Sequence, residues 1–180
     1  LVARSDAALL RAIDGTLARQ VPASYTNIAL MCAFLLDFGG VRFGRQDWQA
    51  QAVRYAEAIH QLFARHGAFD EYNSPTYYGV DLYALALWRA HGPSSRLREL
   101  GAAMEATLWR DIARFYHAGF RNLAGPYDRS YGMDLRRYAG LVGLWVWLAV
   151  GRAHAPFPDL AQPFDHGWDF GAAPAYAVLG

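Results

Sequence analysis

Hydrophobic positions recur along the chain at three- and four-residue spacing, and period-two alternation is scarce. Gly and Pro punctuate this pattern at helix-like intervals, which predicts six helices. The first is expected over Asp6 to Gln20, with Leu9, Leu10, Ile13 and Leu17 on one face, Ser5 as N-cap and Pro22 beyond its end. The second is expected from Thr26 to Phe38, stopping at Gly39-Gly40. The third runs from Gln46 to His66 and stops at Gly67, with Ala52, Tyr55, Ala56, Ile59 and Phe63 inward. The fourth starts at Pro75 behind the N-cap Ser74 and ends at Gly92. The fifth covers Ser95 to Ala118, with Leu97, Leu100, Met104, Leu108 and Phe115 inward, and the sixth covers Met133 to Val150.

Helices one, three and five are amphipathic, whereas two, four and six are apolar nearly all round. A helix apolar on one face covers a core, and one apolar on every face is covered on both sides. Alternation of the two kinds therefore predicts an all-α fold of helical hairpins in two layers, inner and outer. Tyr25, Asn73 and Tyr131 would open the inner helices at intervals of some 50 residues, a helical-hairpin repeat length. Three such hairpins make half of an α/α toroid or a small stack, and an ordinary six-helix bundle is the plainer alternative. The apolar stretch Tyr138 to Val150 falls short of the roughly 20 residues that a bilayer requires, so a buried helix is expected there.

The few polar residues of the inner helices gather at their starts: Tyr25-Thr26-Asn27, then Asp70-Glu71-Tyr72-Asn73-Ser74-Pro75-Thr76-Tyr77-Tyr78 with Asp81 a turn further, then Asp128-Arg129-Ser130-Tyr131 with Asp134. Parallel inner helices would bring these segments to one mouth, where helix N-termini present unpaired N–H groups and positive dipole ends. Such a mouth, rich in Tyr and Trp, suits a small organic or sugar ligand. Asp81 lies within an apolar helix and needs a partner or a wet cavity, and Arg129 is the natural candidate. His91 and His117 are expected at helix C-termini as dipole partners. Cys32 is expected to be a buried thiol, and Arg110 with Asp111 a surface or inter-helix ion pair.

Composition narrows the function further. The 180 residues are 54% hydrophobic and 18% charged, which excludes a disordered chain and is enough for one sizeable core. A net charge of +1, with all 17 basic residues Arg, gives no electrostatic case for a nucleic-acid or anionic-membrane partner. One cysteine excludes an intrachain disulfide and a Cys-rich metal site. No His-Glu-x-x-His, Gly-rich phosphate loop or Gly-x-Ser-x-Gly elbow is present, so neither a metal nor another cofactor is expected. Residue 1 is Leu and the last residues are apolar, and both ends read as cut from a longer chain. The expected partners are thus a small molecule or glycan, with a second copy or the remainder of the chain covering exposed apolar surface.

Two motifs, Asn73-Ser74-Pro75-Thr76-Tyr77 and Leu123-Ala124-Gly125-Pro126-Tyr127-Asp128-Arg129-Ser130-Tyr131-Gly132, resemble those of a family of largely uncharacterised bacterial and fungal proteins. The likeness spans residues 25–174, through the Trp-rich sixth helix into the His166-to-Asp169 loop. More distantly, the paired-helix pattern is similar to the α/α-toroid superfamily, which includes glycosidases, polysaccharide lyases and terpene-processing enzymes and whose members are typically about twice this length. The fold alone does not choose among these activities, and a carbohydrate-active enzyme is the first expectation. A hydrolase would set Asp70 or Glu71 against Asp128 across the mouth. A lyase would use Tyr131, Tyr78 or His166 as base, with Asn73 and Arg129 neutralising a uronate. Asn27, Asn73, Tyr77, Tyr78, Asp81, His166 and Trp168 would bind the substrate. A non-catalytic carbohydrate-binding module and a terpenoid- or lipid-handling toroid are the alternatives.

Overall fold

The computed structural model describes residues 2–130, 132–138 and 141–157. Among these, six helices run in the order α1 (Val2–Arg19), α2 (Thr26–Arg42), α3 (Gln46–Ala64), α4 (Tyr77–His91), α5 (Ser95–Phe115) and α6 (Leu141–Val150). A two-residue antiparallel hairpin, β1 (Tyr116–His117) and β2 (Asn122–Leu123), follows α5. The chain is all-α, with its helices packed in layers. α4 packs between α2 and α6, and α3 and α5 pack on each other behind them. α2, α4 and α6 are the three helices apolar on nearly every side, which is why they can be covered from two directions.

Two indole N–H groups fix the inner layer. Trp88 Nε1 donates to the Leu30 carbonyl at 2.9 Å, and Trp145 Nε1 donates to the Gly79 carbonyl at 3.0 Å. Gly79 itself sets the α4–α6 approach: a Cβ there would lie 2.3 Å from Leu141 Cβ and 2.4 Å from Val142 N. Ser94 caps α5 by accepting from Leu97 N–H, and its own N–H donates to Asp37 Oδ2 at 2.9 Å, tying that cap to α2. Arg96 reaches from α5 to Glu57 on α3 at 2.6 Å. α1 is the least embedded helix. Only its Ile13 is fully buried, in a second small cluster with Leu36, Trp48 and Ala52.

Several boundaries differ from those the sequence predicts. α1 begins at Val2, so Ser5 lies inside it; none of residues 2–5 obstructs a helix. α2 runs through Gly39-Gly40 to Arg42. The two glycines serve close approach there instead of termination: a Cβ on Gly39 would meet Ile13 at 2.3 Å, and one on Gly40 would meet Gln49 at 2.4 Å. α4 begins its regular ladder at Tyr77, although Ser74 Oγ accepts from Tyr77 N–H at 3.3 Å as a cap would. α5 stops at Phe115, and the chain turns back so that Ala124 N–H donates to the Phe115 carbonyl at 2.7 Å. His117 is therefore a strand residue, and its Nδ1 accepts from Phe120 N–H at 3.2 Å. α6 begins at Leu141, well after Met133.

Candidate functional site

The starts of α2 and α4 and the segment after β2 meet around an open cleft of about 520 Å³. Ser24 and Tyr25 line it from the α2 side. Asp70, Glu71 and Tyr77 come from the α4 side, and Asp128 and Arg129 close it from the third segment. Smaller cavities of about 300–370 Å³ among the described residues include two beneath α1 and one between α5 and α6, with mainly apolar linings. The cleft differs from them in its concentration of ionisable groups.

Asn73 holds the third segment in place. It sits in the left-handed backbone region at φ 51°, which a short amide side chain tolerates better than most. From there its Nδ2 donates to the carbonyls of Ala124 and Pro126, each at 2.8 Å. Asp128 N–H donates to the Tyr72 carbonyl at 3.0 Å, a further tie between the two segments. Asn122 braces the next turn by donating to the Met133 carbonyl at 2.7 Å and accepting from Leu135 N–H.

Glu71 is the one largely buried acid that lines the cleft, at 7% exposure. Thr26 Oγ1 donates to its Oε2. Burial pushes its pKa up, and the charges of Asp70 and Asp128 push in the same direction, against the pull of the Asn27 and Glu71 amides. Asp128 forms an ion pair with Arg129 at 3.1 Å. Behind the cleft, Asp81 is fully buried on α4, and neither of its oxygens has a hydrogen-bond partner among the described residues. Burial first, and then Glu71, raises the pKa of its carboxyl well above the usual range, which favours the neutral acid. The expected Asp81–Arg129 pair does not form: Arg129 is half exposed and turned to Asp128.

The candidate residues thus divide. Glu71, Tyr77, Asp128 and Arg129 line one opening. Asn27, Asn73, Tyr78 and Asp81 lie buried beneath it and shape it without lining it. Asn27 Oδ1 accepts from Ile28 N–H, and Tyr78 donates its hydroxyl to Asp111 at 3.1 Å, so Asp111 pairs with Tyr78 instead of Arg110. Burial raises the Tyr78 pKa strongly, which removes it as a base. Tyr131, His166 and Trp168 lie outside the described residues. Thr26, the partner of Glu71, and Ser24 escaped selection by sequence. Thr26 stood in the polar triplet that opens α2, but nothing local marks its partner 45 positions away. Among the described residues no three His, Cys, Asp or Glu side chains converge to hold a metal ion, and no helix is long and apolar enough to cross a membrane.

Layered helices with an acid-lined cleft between the starts of α2 and α4 and the segment after β2 define an all-α protein with a formed polar cavity. The chain belongs to the family described as a domain of unknown function, DUF8769, which matches residues 6–180. No curated protein and no solved structure matches it.

Proposed function

We propose that this protein is a carbohydrate-active glycoside hydrolase working in the cleft between α2, α4 and the Asp128 segment. The observation that carries the reading is Glu71: a nearly buried carboxyl lining an open cleft, with burial and two neighbouring acids favouring its protonated form. A protonated carboxyl beside a second carboxylate is the pairing that glycosidic cleavage requires. Glu71 donates its proton to the leaving-group oxygen. Asp128, oriented by Arg129 at 3.1 Å, activates water or attacks the anomeric carbon. Tyr25, 53% exposed, and Tyr77 offer aromatic surface for a sugar face. The layered helices are read as an arc of an α/α toroid, with the site at the mouth.

Elimination chemistry receives less support, because Tyr78, one of its candidate bases, is buried against Asp111. Tyr25 and the half-buried Tyr77 also suit a non-catalytic carbohydrate-binding module, which the same experiment separates. The protein is incubated with a panel of polysaccharides, and reducing ends and unsaturated products are measured. The hydrolase reading expects reducing ends without unsaturation, and Glu71→Gln should lower the rate by about 10²–10⁴-fold. Binding without turnover supports the module, and unsaturated products support a lyase.

A further inference from the structure

Resting on the hydrolase reading, we infer that the cleft selects glycans carrying a free amino group beside the cleaved bond and disfavours uronate polymers. Among the described residues, three acids and one base line the cavity. The charge of Asp128 is matched by Arg129 at 3.1 Å, and Glu71 is held toward its neutral form. Asp70 remains: it is exposed at the rim and has no ion-pair partner among the described residues, where most surface acids are paired, as in Asp6–Arg42, Asp47–Arg45 and Glu57–Arg96.

The helix starts do not make up the missing positive charge. At the start of α4, Tyr77 N–H donates to Ser74 Oγ, Tyr78 N–H to the Ser74 carbonyl and Gly79 N–H to the Thr76 carbonyl. At the start of α2, the Asn27 amide acts on Glu71. Asp128 N–H is taken by the Tyr72 carbonyl. Among the described residues the cavity therefore presents one carboxylate without an ion-pair partner to its occupant. An ammonium group on the sugar ring would meet that charge, and a sugar carboxylate would meet repulsion. The charge of Arg129 is already matched by Asp128, so a uronate would have to compete with that carboxylate for it.

The test compares size-matched oligomers of glucosamine, glucose and galacturonate, titrated calorimetrically into the intact chain at low and high salt. The glucosamine oligomer should bind about fivefold more tightly than the glucose oligomer, with galacturonate weakest and the order compressed by salt. Asp70→Asn should bring the glucosamine and glucose oligomers level. Tightest binding by galacturonate, an amino preference that survives Asp70→Asn, or no binding by any of the three overturns the inference. Reducing-end release from the same oligomers separates it from the hydrolase reading. Cleavage without amino preference sinks selectivity alone, and the predicted binding order without cleavage sinks hydrolysis alone.

Discussion

Replacing Asp81 with leucine should make the protein progressively more stable, relative to the native sequence, as pH rises. The Asp81 carboxyl is fully buried, its oxygens are unpartnered, and burial followed by Glu71 raises its pKa well above the ordinary value. In the unfolded chain the group loses its proton near pH 4, whereas in the folded chain it keeps it. Above that pH the native state binds one proton more than the unfolded state, so stability falls as pH rises toward the folded pKa. The slope is about 1.4 kcal/mol per pH unit for one such group. Its stabilising contribution is whole below the unfolded pKa and lost through the window above it. Glu71 is shifted in the same direction and adds to the slope in both proteins. Urea unfolding at a series of pH values between about 4 and 7 reads the difference. The gap between Asp81→Leu and the native chain should widen in the variant's favour by about 1.4 kcal/mol per pH unit. Asp81→Asn, nearly the same shape and neutral throughout, should flatten the curve equally even though its amide lacks partners. Parallel curves for all three proteins would refute a buried neutral acid at this position.

Other substitutions probe the scaffold and the rim. Gly79→Ala places a methyl group against the backbone of α6 and should cost about 1–3 kcal/mol in chemical unfolding, with Gly15→Ala, where the space is open, costing nothing comparable. Asn73→Ala removes both hydrogen bonds to the 124–126 segment from a left-handed residue and should cost about 2–4 kcal/mol, with faster amide exchange at Asp128. Asp128→Asn and Arg129→Ala break an exposed pair and should change stability by less than about 1 kcal/mol while abolishing glycan turnover. Unfolding of either would make that pair structural.

The layering was legible in the sequence because it follows from composition around each helix. Ile28 to Leu36 and Leu82 to Trp88 are apolar on every side, and such helices can only be interior. The start of α5 behind the Ser94 cap follows from local capping chemistry, whereas α3 starts at Gln46 behind Arg45 with no side-chain cap. The boundaries that differ were decided by distant contacts. Gly39-Gly40 looked like a stop but is a crossing point for Ile13 and Gln49. The hairpin after Phe115 forms because Ala124 returns to pair with it, and Asn122 then fixes the turn that delays α6. Residues 24–25, 70–77 and 128–129 share one cleft, but the third segment lies well before α6 and is tied there by hydrogen bonds from Asn73 and to the Tyr72 carbonyl, not by a helix start. Which polar residues would line the opening was not foreseeable. Asn73 and Asp81 resemble ligand-facing groups in sequence, but side-chain direction within a packed end depends on partners 40 to 60 residues away, such as Pro126 for Asn73.

A crystal structure of the Glu71→Gln variant with an oligosaccharide measures the central claim most directly. A sugar chain should span the cleft, with a glycosidic oxygen within hydrogen-bond distance of the residue 71 amide and the Asp128 carboxylate on the far side of the anomeric carbon. An oligosaccharide seated elsewhere on the molecule, or one whose glycosidic oxygens all lie out of reach of residue 71, would contradict it.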